Sequence, residues 1–290
     1  MKKYVIITDS TSDLPQDIVE EMDIKVIPMA FEIAGKNYMN YPDNRELDPH
    51  DFYDMLRNGE TAVTSLINSM TFTEWFEPIV KEGADILYIA FSSAMSGTYN
   101  ASLVAAEMMM EKYKGSRIIC VDSMAASMGE GLLVYSAALR RDRGTSIEEL
   151  HQWLLDNRLR LCHWVTVDDL NHLKRGGRIN PLTASIGTAL SMKPVIHVDD
   201  EGRLVPVTKV RGRKKSIHTL VDRMAETSIN PEEQVVFVGH GDNYEDALKV
   251  EKLLREQLKV KDVVIGTIGP VIGSHSGPGT LTLFFFGTRR

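Results

Sequence analysis

Short apolar runs alternate with longer segments of helical periodicity through the first half of the chain. A short apolar run is typical of a buried strand, and apolar residues spaced three and four apart indicate an amphipathic helix. Such alternation favours a mostly parallel sheet with helices on both faces. The predicted strands are Tyr4–Thr8, Ile24–Met29, Ile86–Ala90 and Arg117–Val121. The first three predicted helices start near Pro15, run from Asp48 to Asn58 and run from Thr71 or Thr73 to Lys81. The next is opened by the stretch Phe91–Asn100 and ends near Lys114, and the last two span Met124–Arg141 and Ser146–Asn157.

The second half mixes strands and helices in a less regular order. Two apolar runs flank the turn residues Asp199–Gly202, which is a hairpin signal. The predicted strands are Cys162–Val165, Val195–Val198, Leu204–Val207, Gln234–Gly239, Asp262–Ile268 and Leu281–Phe286. The predicted helices are Asp168–Leu173, Leu182–Met192, Arg213–Thr227 and Tyr244–Leu258. The pattern therefore predicts an α/β protein of two domains. Residues 1–160 form a mostly parallel sheet flanked by helices, and residues 161–290 form an α+β domain with a mixed sheet.

Composition narrows the class of protein. The 290 residues are 43% hydrophobic and 25% charged, as in a soluble globular protein, and their net charge of −7 argues against general affinity for nucleic acid or anionic membranes. The two cysteines, Cys120 and Cys162, lie in apolar runs that are typical of buried thiols in a reducing compartment. The apolar run near the N-terminus is too short for a secretory signal, and no run reaches the length of a membrane span. We expect a cytoplasmic protein.

Hydroxyl side chains crowd one predicted strand-to-helix turn, Phe91–Asn100. A helix start offers unpaired backbone N–H groups and the positive end of the helix dipole, which suit a carboxylate or phosphate. Ordinary helix capping is the alternative explanation, because it needs only one such hydroxyl. Further polar motifs follow other predicted strands or lie in loops: Thr8–Asp13, Val63-Thr64-Ser65 between two predicted helices, and Val121-Asp122-Ser123 before the glycine pair Gly129 and Gly131.

The second domain carries two basic clusters and a glycine-rich histidine segment. Lys174–Arg178 contains three cations and two glycines, and a second group of cations comprises Lys209, Arg211, Arg213, Lys214 and Lys215. In an acidic chain these clusters suggest a phosphate-bearing ligand or an acidic partner, although a basic run is usually just a solvated face. The segment Gly273–Gly279 places His275 on a predicted loop between two late strands, where it can bind a carboxylate or exchange a proton.

Two kinds of function fit these residues. A hydrolase or acyl transferase would combine Ser96 and His275 with an aspartate such as Asp9 or Asp122, but the serine lacks the G-x-S-x-G elbow. A binding protein for an acid with an apolar tail would use the hydroxyl cluster as an anion site. The 14 methionines, including Met108–Met110, Met124 and Met128, would suit a flexible apolar ligand, although core packing is the favoured explanation for them taken alone. Metalloprotease, CXXC and Walker motifs are absent from the sequence.

An ordered set of motifs resembles the DegV family nearly from end to end. The motifs are D-S-T-S-D at 9–13, T-S at 64–65, S-S-x-x-S-G-T-Y at 92–99, V-D-S-x-x-A-S-M-G at 121–129, L-x-R-G-G-R-I at 173–179, K-V-R-G at 209–212 and H-x-G-P-G at 275–279. The resemblance implies a two-domain α/β protein with one long-chain fatty acid bound between the domains and no further cofactor or metal. It also implies a role like that of the binding subunit of bacterial fatty acid kinase, in which a separate kinase subunit phosphorylates the bound acid for phospholipid synthesis.

The resemblance assigns roles to individual positions. Thr64 and Ser96 match the carboxylate-binding positions, and His275 and Arg178 are the next contributors. Weaker candidates are Ser65, Ser93, Thr98 and Ser274. Lys209, Arg211 and Arg213 would face the kinase partner or the transferred phosphate. The family's T-S pair is usually followed by a polar residue and proline, so Leu66-Ile67-Asn68 predicts a different loop here. A lipid-responsive regulator is a third, weaker hypothesis, for which the sequence offers no DNA-binding element.

Overall fold

The computed structural model describes residues 3–180 and 191–290. Within those ranges the chain forms thirteen strands and ten α-helices. The strands, numbered β1 to β13, are Tyr4–Asp9, Lys25–Ile27, Met29–Ile33, Lys36–Asn40, Ala62–Thr64, Asp85–Ala90, Ile118–Asp122, Leu161–Thr166, Met192–Val198, Leu204–Arg211, Val235–His240, Asp262–Thr267 and Leu281–Phe286. The helices, numbered α1 to α10, are Gln16–Glu21, Pro49–Arg57, Ser69–Lys81, Thr98–Lys112, Met128–Asp142, Ile147–Asn157, Asn171–Arg175, Arg213–Thr227, Tyr244–Leu253 and Pro270–Ser276.

The first sheet is parallel throughout and has the order β2-β1-β6-β7. Successive residues of its central strands face opposite layers, because strand side chains alternate. Ile7 lies in a core with α3 and α4, whereas its neighbour Ile6 lies in a core with α5 and α6. The prediction of a mostly parallel sheet covered on both faces is confirmed.

A small antiparallel sheet, β4-β3-β5, lies outside the sequence predictions. The predicted strand Ile24–Met29 is wrong at its end, because the chain breaks after β2 and continues as the β3–β4 hairpin. Ala34 and Gly35 both have positive φ, as a two-residue hairpin turn with the right twist requires. The loop predicted at Val63-Thr64-Ser65 is also wrong, since Thr64 ends β5 opposite Phe31.

The third sheet belongs to the second half of the chain and has the order β10-β9-β8-β13-β11-β12. It is mixed, because β11 and β12 are parallel while the other pairs are antiparallel. The hairpin predicted around Asp199–Gly202 is confirmed in β9 and β10. The predicted helix Leu182–Met192 lies outside the described residues except at its end, where Met192 begins β9 rather than closing a helix.

Helix α5 joins the two halves. Its side chains Leu132 and Leu133 share a core with Phe237 and Phe284 of the third sheet. Glycines permit close contacts along this helix, since a Cβ added at Gly131 would lie 2.6 Å from the Ser12 carbonyl oxygen. The parallel first sheet and the mixed third sheet therefore pack on α5 in one shared core. The division into domains at residue 160 stays a prediction. No helix within the described ranges is both long enough and apolar enough to cross a bilayer.

Candidate functional site

A cavity of about 310 Å³ is lined by residues that follow β1 and β6 of the first sheet, by β3 and β5 of the small sheet, by the third sheet and by α10. All four residues ranked first by the sequence line it: Thr64, Ser96, Arg178 and His275. Most of the remaining wall is apolar, with side chains that include Met29, Phe91, Met95, Val165, Val167 and Phe284. A mainly apolar cavity with a few convergent polar groups is the usual form of a small-molecule site.

Thr64 and His275 meet directly although they lie in different halves of the chain. The Thr64 Oγ1 is 3.0 Å from the His275 Nε2. The loop predicted for Gly273–Gly279 is wrong over most of its length, because Pro270–Ser276 forms α10 and His275 occupies its last turn. Proline suits the first turn of a helix, and Gly277 with φ of 79° ends it. The helix therefore fixes the direction of the imidazole.

Arg178 and the glycine pair before it complete this end of the cavity. The Arg178 guanidinium donates to the Gly176 carbonyl oxygen. The His275 ring packs on Gly176 so closely that a Cβ there would lie 2.2 Å from Nδ1. Gly176 is therefore required for the approach of segment 173–179 to α10, which brings the cation and the imidazole together.

Burial controls the charge of the histidine. It lowers the pKa of His275 to about 4, with a further contribution from the positive charge of Arg178. Burial also lowers the pKa of Arg178, which remains a cation at neutral pH because a guanidinium starts from so high a value. The Nδ1 of His275 is buried and has no hydrogen-bond partner among the described residues. At neutral pH the site thus offers one cation, a neutral imidazole and hydroxyl groups, a set suited to a single carboxylate.

Ser96 both lines the cavity and organises the start of α4. Its Oγ lies 2.9 Å from the Thr98 Oγ1 and 3.3 Å from the Thr98 backbone N, which donates to it. The Ser96 hydroxyl therefore accepts a hydrogen bond from the start of the helix, as the capping explanation expects, and it also lines the cavity. The first turn of the 15-residue helix directs its positive dipole end toward the same region, which favours an anion.

The four weaker candidates do not line this cavity. Ser93 donates to the Asp122 carboxylate, and Ser274 donates to the Pro270 carbonyl oxygen at 2.6 Å. The Ser65 backbone N–H bonds to the Ala30 carbonyl oxygen, next to β3. Thr98 contacts Ser96 and supports it from behind.

The residues of the hydrolytic hypothesis are not brought together. His275 contacts Thr64, and Ser96 contacts Thr98. The Asp9 carboxylate accepts from Thr11 and from the Tyr88 hydroxyl, which lies 2.6 Å away. Asp122 accepts from the Met124 backbone N–H at 2.9 Å and from Ser93. Neither the serine nor either aspartate is hydrogen-bonded to the imidazole, so no triad is assembled in the described residues.

The D-S-T-S-D motif belongs to a buried acid network beside the cavity. The Thr11 Oγ1 lies 2.9 Å from Glu130 Oε2 and also contacts Asp9, while the Ser127 hydroxyl donates to Asp13 at 2.6 Å. Burial raises the pKa of all three carboxyls, and for Asp13 it does so to about 8. One hydroxyl proton cannot serve two carboxylates at once, so the sharing of Thr11 requires that Asp9 or Glu130 carry a proton. Thr11 and Ser127 line the cavity, and the motif's acids hold them in place.

The partner-facing candidates divide into two kinds. Lys209 and Arg211 are exposed on the same face of β10, which is an edge strand. Arg213 instead forms an ion pair at 2.7 Å with Asp246 and is only 21% exposed. The edge strand therefore presents two exposed positive charges to solvent, whereas the ion pair of Arg213 with Asp246 links α8 to α9.

Sequence reasoning missed some of the cavity wall. His163 and Ser276 line the cavity and are buried, yet neither was a candidate. The available signal for His163 was a single polar residue in an otherwise apolar strand.

The methionines singled out by composition do not line the cavity. Met109 and Met128 lie in packed cores and Met108 lies at the surface, so core packing explains the first two. Met29 and Met95 are the methionines of the cavity wall in the described residues.

The comparisons with known proteins agree with this architecture. The DegV family model, described as "Uncharacterised protein, DegV family", matches residues 3–288. A DegV domain-containing protein of Clostridium perfringens is 48% identical over 287 residues, which cover 99% of this chain and 98% of that protein. The structure of a fatty-acid-binding DegV family protein from Thermus thermophilus matches with a TM-score of 0.89 at 28% identity, covering 99% of this chain and all of that one. A DegV lipid binding protein from Thermotoga maritima matches with a TM-score of 0.87 at 27% identity, with 99% of each chain covered.

These matches and the sheets define a mixed α/β protein, and the protein contains a mainly apolar internal cavity. The chain belongs to the DegV family. The family resemblance and the fold class derived from the sequence are both confirmed.

Proposed function

We propose that this protein binds one long-chain fatty acid in the cavity and presents its carboxylate to a separate kinase subunit, which forms the acyl phosphate. The observation that carries the proposal is the meeting of Thr64, Ser96, Arg178 and His275 at a mainly apolar cavity. The solved fatty-acid-binding and lipid-binding relatives support the ligand class. The protein itself would be a carrier without turnover.

The polar residues would position the carboxylate. Arg178 supplies the positive charge, the two hydroxyls donate, and the neutral His275 offers one N–H. Hydrogen bonds to a charged group contribute about 1.5–3 kcal/mol each, more than neutral bonds do. The negative charge of the ligand would raise the pKa of the His275 imidazole beside it. Binding is therefore expected to strengthen as the pH falls through this raised pKa, because the imidazole then gains a proton and a positive charge.

The apolar wall would supply most of the affinity. Each buried methylene contributes about 0.8 kcal/mol, before the cost of ordering the chain. The tail would therefore determine the strength of binding, and the polar end would determine the position of the reacting oxygen atom.

The kinase subunit would approach from the side of the edge strand β10. Lys209 and Arg211 are exposed there and would bind acidic groups of the partner or the transferred phosphate, while Arg213 supports the strand's connection to α8 through Asp246. Such a reaction would take place in the cytoplasm and would supply phospholipid synthesis.

Substitution of Thr64 tests the carboxylate site most simply. Thr64→Val keeps the shape of the side chain and removes the hydroxyl, so the affinity for palmitate or oleate should fall about tenfold, the equivalent of about 1.4 kcal/mol. The measurement is a titration of lipid-free protein by calorimetry. Thr61→Val is the matched control, since Thr61 is exposed just before β5 and does not line the cavity. Equal affinity of the two variants would contradict the assignment of Thr64.

A further inference from the structure

We infer that His163 and Phe284 form the floor of the cavity and set the longest acyl chain that it accepts. This inference rests on the proposed fatty acid function and extends it to the choice of ligand length.

The lining residues of two neighbouring strands end at the same level. On β8 the cavity is lined by His163 and Val165, and on β13 by Phe284 and Thr282. These residues are partners across the ladder, since His163 pairs with Phe284 and Val165 pairs with Thr282. The next residue of β8 on that face is Leu161, which is fully buried in the core with α5 and α6 and does not line the cavity. The open space therefore stops at the His163–Phe284 pair.

The polar end lies toward the other end of the same strands. The Thr280 Oγ1 donates to the carbonyl oxygen of Ser276, the residue after His275, at 3.0 Å. Thr280 and Phe284 are four residues apart along β13 and the residue before it, which corresponds to roughly 14 Å at about 3.4 Å per residue. A carboxylate near His275 would thus send its tail toward the His163–Phe284 pair.

Gly129 of α5 supports the floor from behind. A Cβ at this position would lie 2.5 Å from the His163 Nε2 and 2.8 Å from the Phe284 Cδ1. The two rings are edge to face, with centroids 5.3 Å apart. Both rings pack directly against the α-carbon of Gly129, which has no side chain. Any side chain at this position must therefore push the two rings toward the cavity.

The floor is uncharged and so suits a terminal methyl group. The His163 Nδ1 lies 2.9 Å from the Leu161 carbonyl oxygen, which can only accept, so this nitrogen carries the proton. Burial lowers the pKa of His163 well below its usual value, which keeps the ring neutral. The imidazole therefore acts here as a flat, neutral surface.

A competition among fatty acids tests the inference. Lipid-free protein is mixed with equal amounts of saturated acids of increasing length, and native mass spectrometry reports which one is bound. His163→Ala and Phe284→Leu deepen the cavity and should shift the preferred length upward by about two carbons. Gly129→Ala raises the floor and should shift it downward.

Two matched controls separate the floor from general effects on the fold. Phe285→Leu alters the neighbouring residue of β13, which is buried on the opposite face in the core with α8 and α9, and His197→Ala removes a histidine that stacks on Trp164 outside the cavity. Both controls should keep the wild-type length preference. The inference is overturned if Phe284→Leu and His163→Ala keep the wild-type length preference. It is also overturned if the preferred length shifts as far in the two controls as in Phe284→Leu and His163→Ala. Should one variant fail to fold, the others decide in the same way. A wild-type protein that binds none of the acids contradicts instead the proposed function.

Discussion

Thr64 and His275 are 211 positions apart in sequence, yet their side chains are in hydrogen-bond contact. The residue pattern indicated carboxylate chemistry for His275 but none for Thr64, and it could not show that the two meet; the family resemblance assigned both residues to the carboxylate site. Their contact depends on β5 and α10, two elements that were predicted as loops. At the scale of single residues, the pattern along the chain therefore predicted part of the chemistry, whereas the proximity of the two side chains followed only from the resemblance.

The hydroxyl of Ser96 provides a test that separates binding from positioning. Ser96→Ala should weaken fatty acid binding only a few-fold, because the tail supplies most of the affinity. It should reduce phosphorylation by a purified fatty acid kinase subunit with ATP more strongly, because the carboxylate is misplaced. Ser93→Ala is the control, as that hydroxyl bonds to Asp122 and does not line the cavity. A wild-type phosphorylation rate in Ser96→Ala would contradict the assignment.

The buried carboxyl of Asp13 makes the stability of the fold depend on pH. Burial raises its pKa from 3.8 to about 8, so between those values the folded state binds more protons than the unfolded state. The free energy of unfolding contributed by this group therefore falls as the pH rises through that window. Asp13→Asn can keep an acceptor for the Gly269 N–H, which now bonds to the carboxylate at 2.9 Å.

Urea unfolding at pH 5, 6.5 and 8 measures this effect. The wild type should lose stability over the series more steeply than Asp13→Asn, although Asp9 and Glu130 contribute a remaining slope to both proteins. If the free energy of unfolding falls equally with pH in the two proteins, Asp13 is not the source of the pH dependence.

At the scale of elements, the long periodic segments were predicted well and the short ones were not. The strand β6 and the helices α4, α6 and α8 lie close to their predicted positions because each has a full apolar face or run. The hairpin β3–β4 and the helix α10 were missed. The hairpin alternates around only a few apolar residues, and α10 is a seven-residue helix that contains one glycine and one proline and persists through tertiary packing.

Helix α3 shows how local capping was misassigned. The expected caps were Thr71 or Thr73, but the Asn68 Oδ1 accepts from the Thr71 backbone N–H at 3.0 Å and the helix begins at Ser69. Asn68→Ala should lower the free energy of unfolding by about 1 kcal/mol, whereas Thr71→Ala keeps the N–H donor and should change it much less. Thermal or urea unfolding of both variants measures the difference. A larger loss of unfolding free energy in Thr71→Ala than in Asn68→Ala would contradict the assignment of Asn68 as the cap and favour Thr71.

At the scale of the molecule, the class of fold followed from the order of strands and helices, and the cavity did not. The small sheet, the third sheet and the segments that follow β1 and β6 all contribute to the cavity wall, and segment 173–179 reaches α10 only because Gly176 allows the His275 ring to approach. These relations depend on packing between distant elements. The cavity floor at His163 and Phe284 is of the same kind, since its existence depends on the register of β8 with β13.

The central claim is that the cavity holds one fatty acid, and its occupancy can be measured directly. Native mass spectrometry of freshly purified protein, followed by denaturing lipid extraction, shows both the stoichiometry and the identity of the ligand. The account predicts one fatty acid per chain, or the uptake of one palmitate or oleate when either is added to protein that was stripped during purification. A protein that arrives empty and takes up neither acid would contradict it.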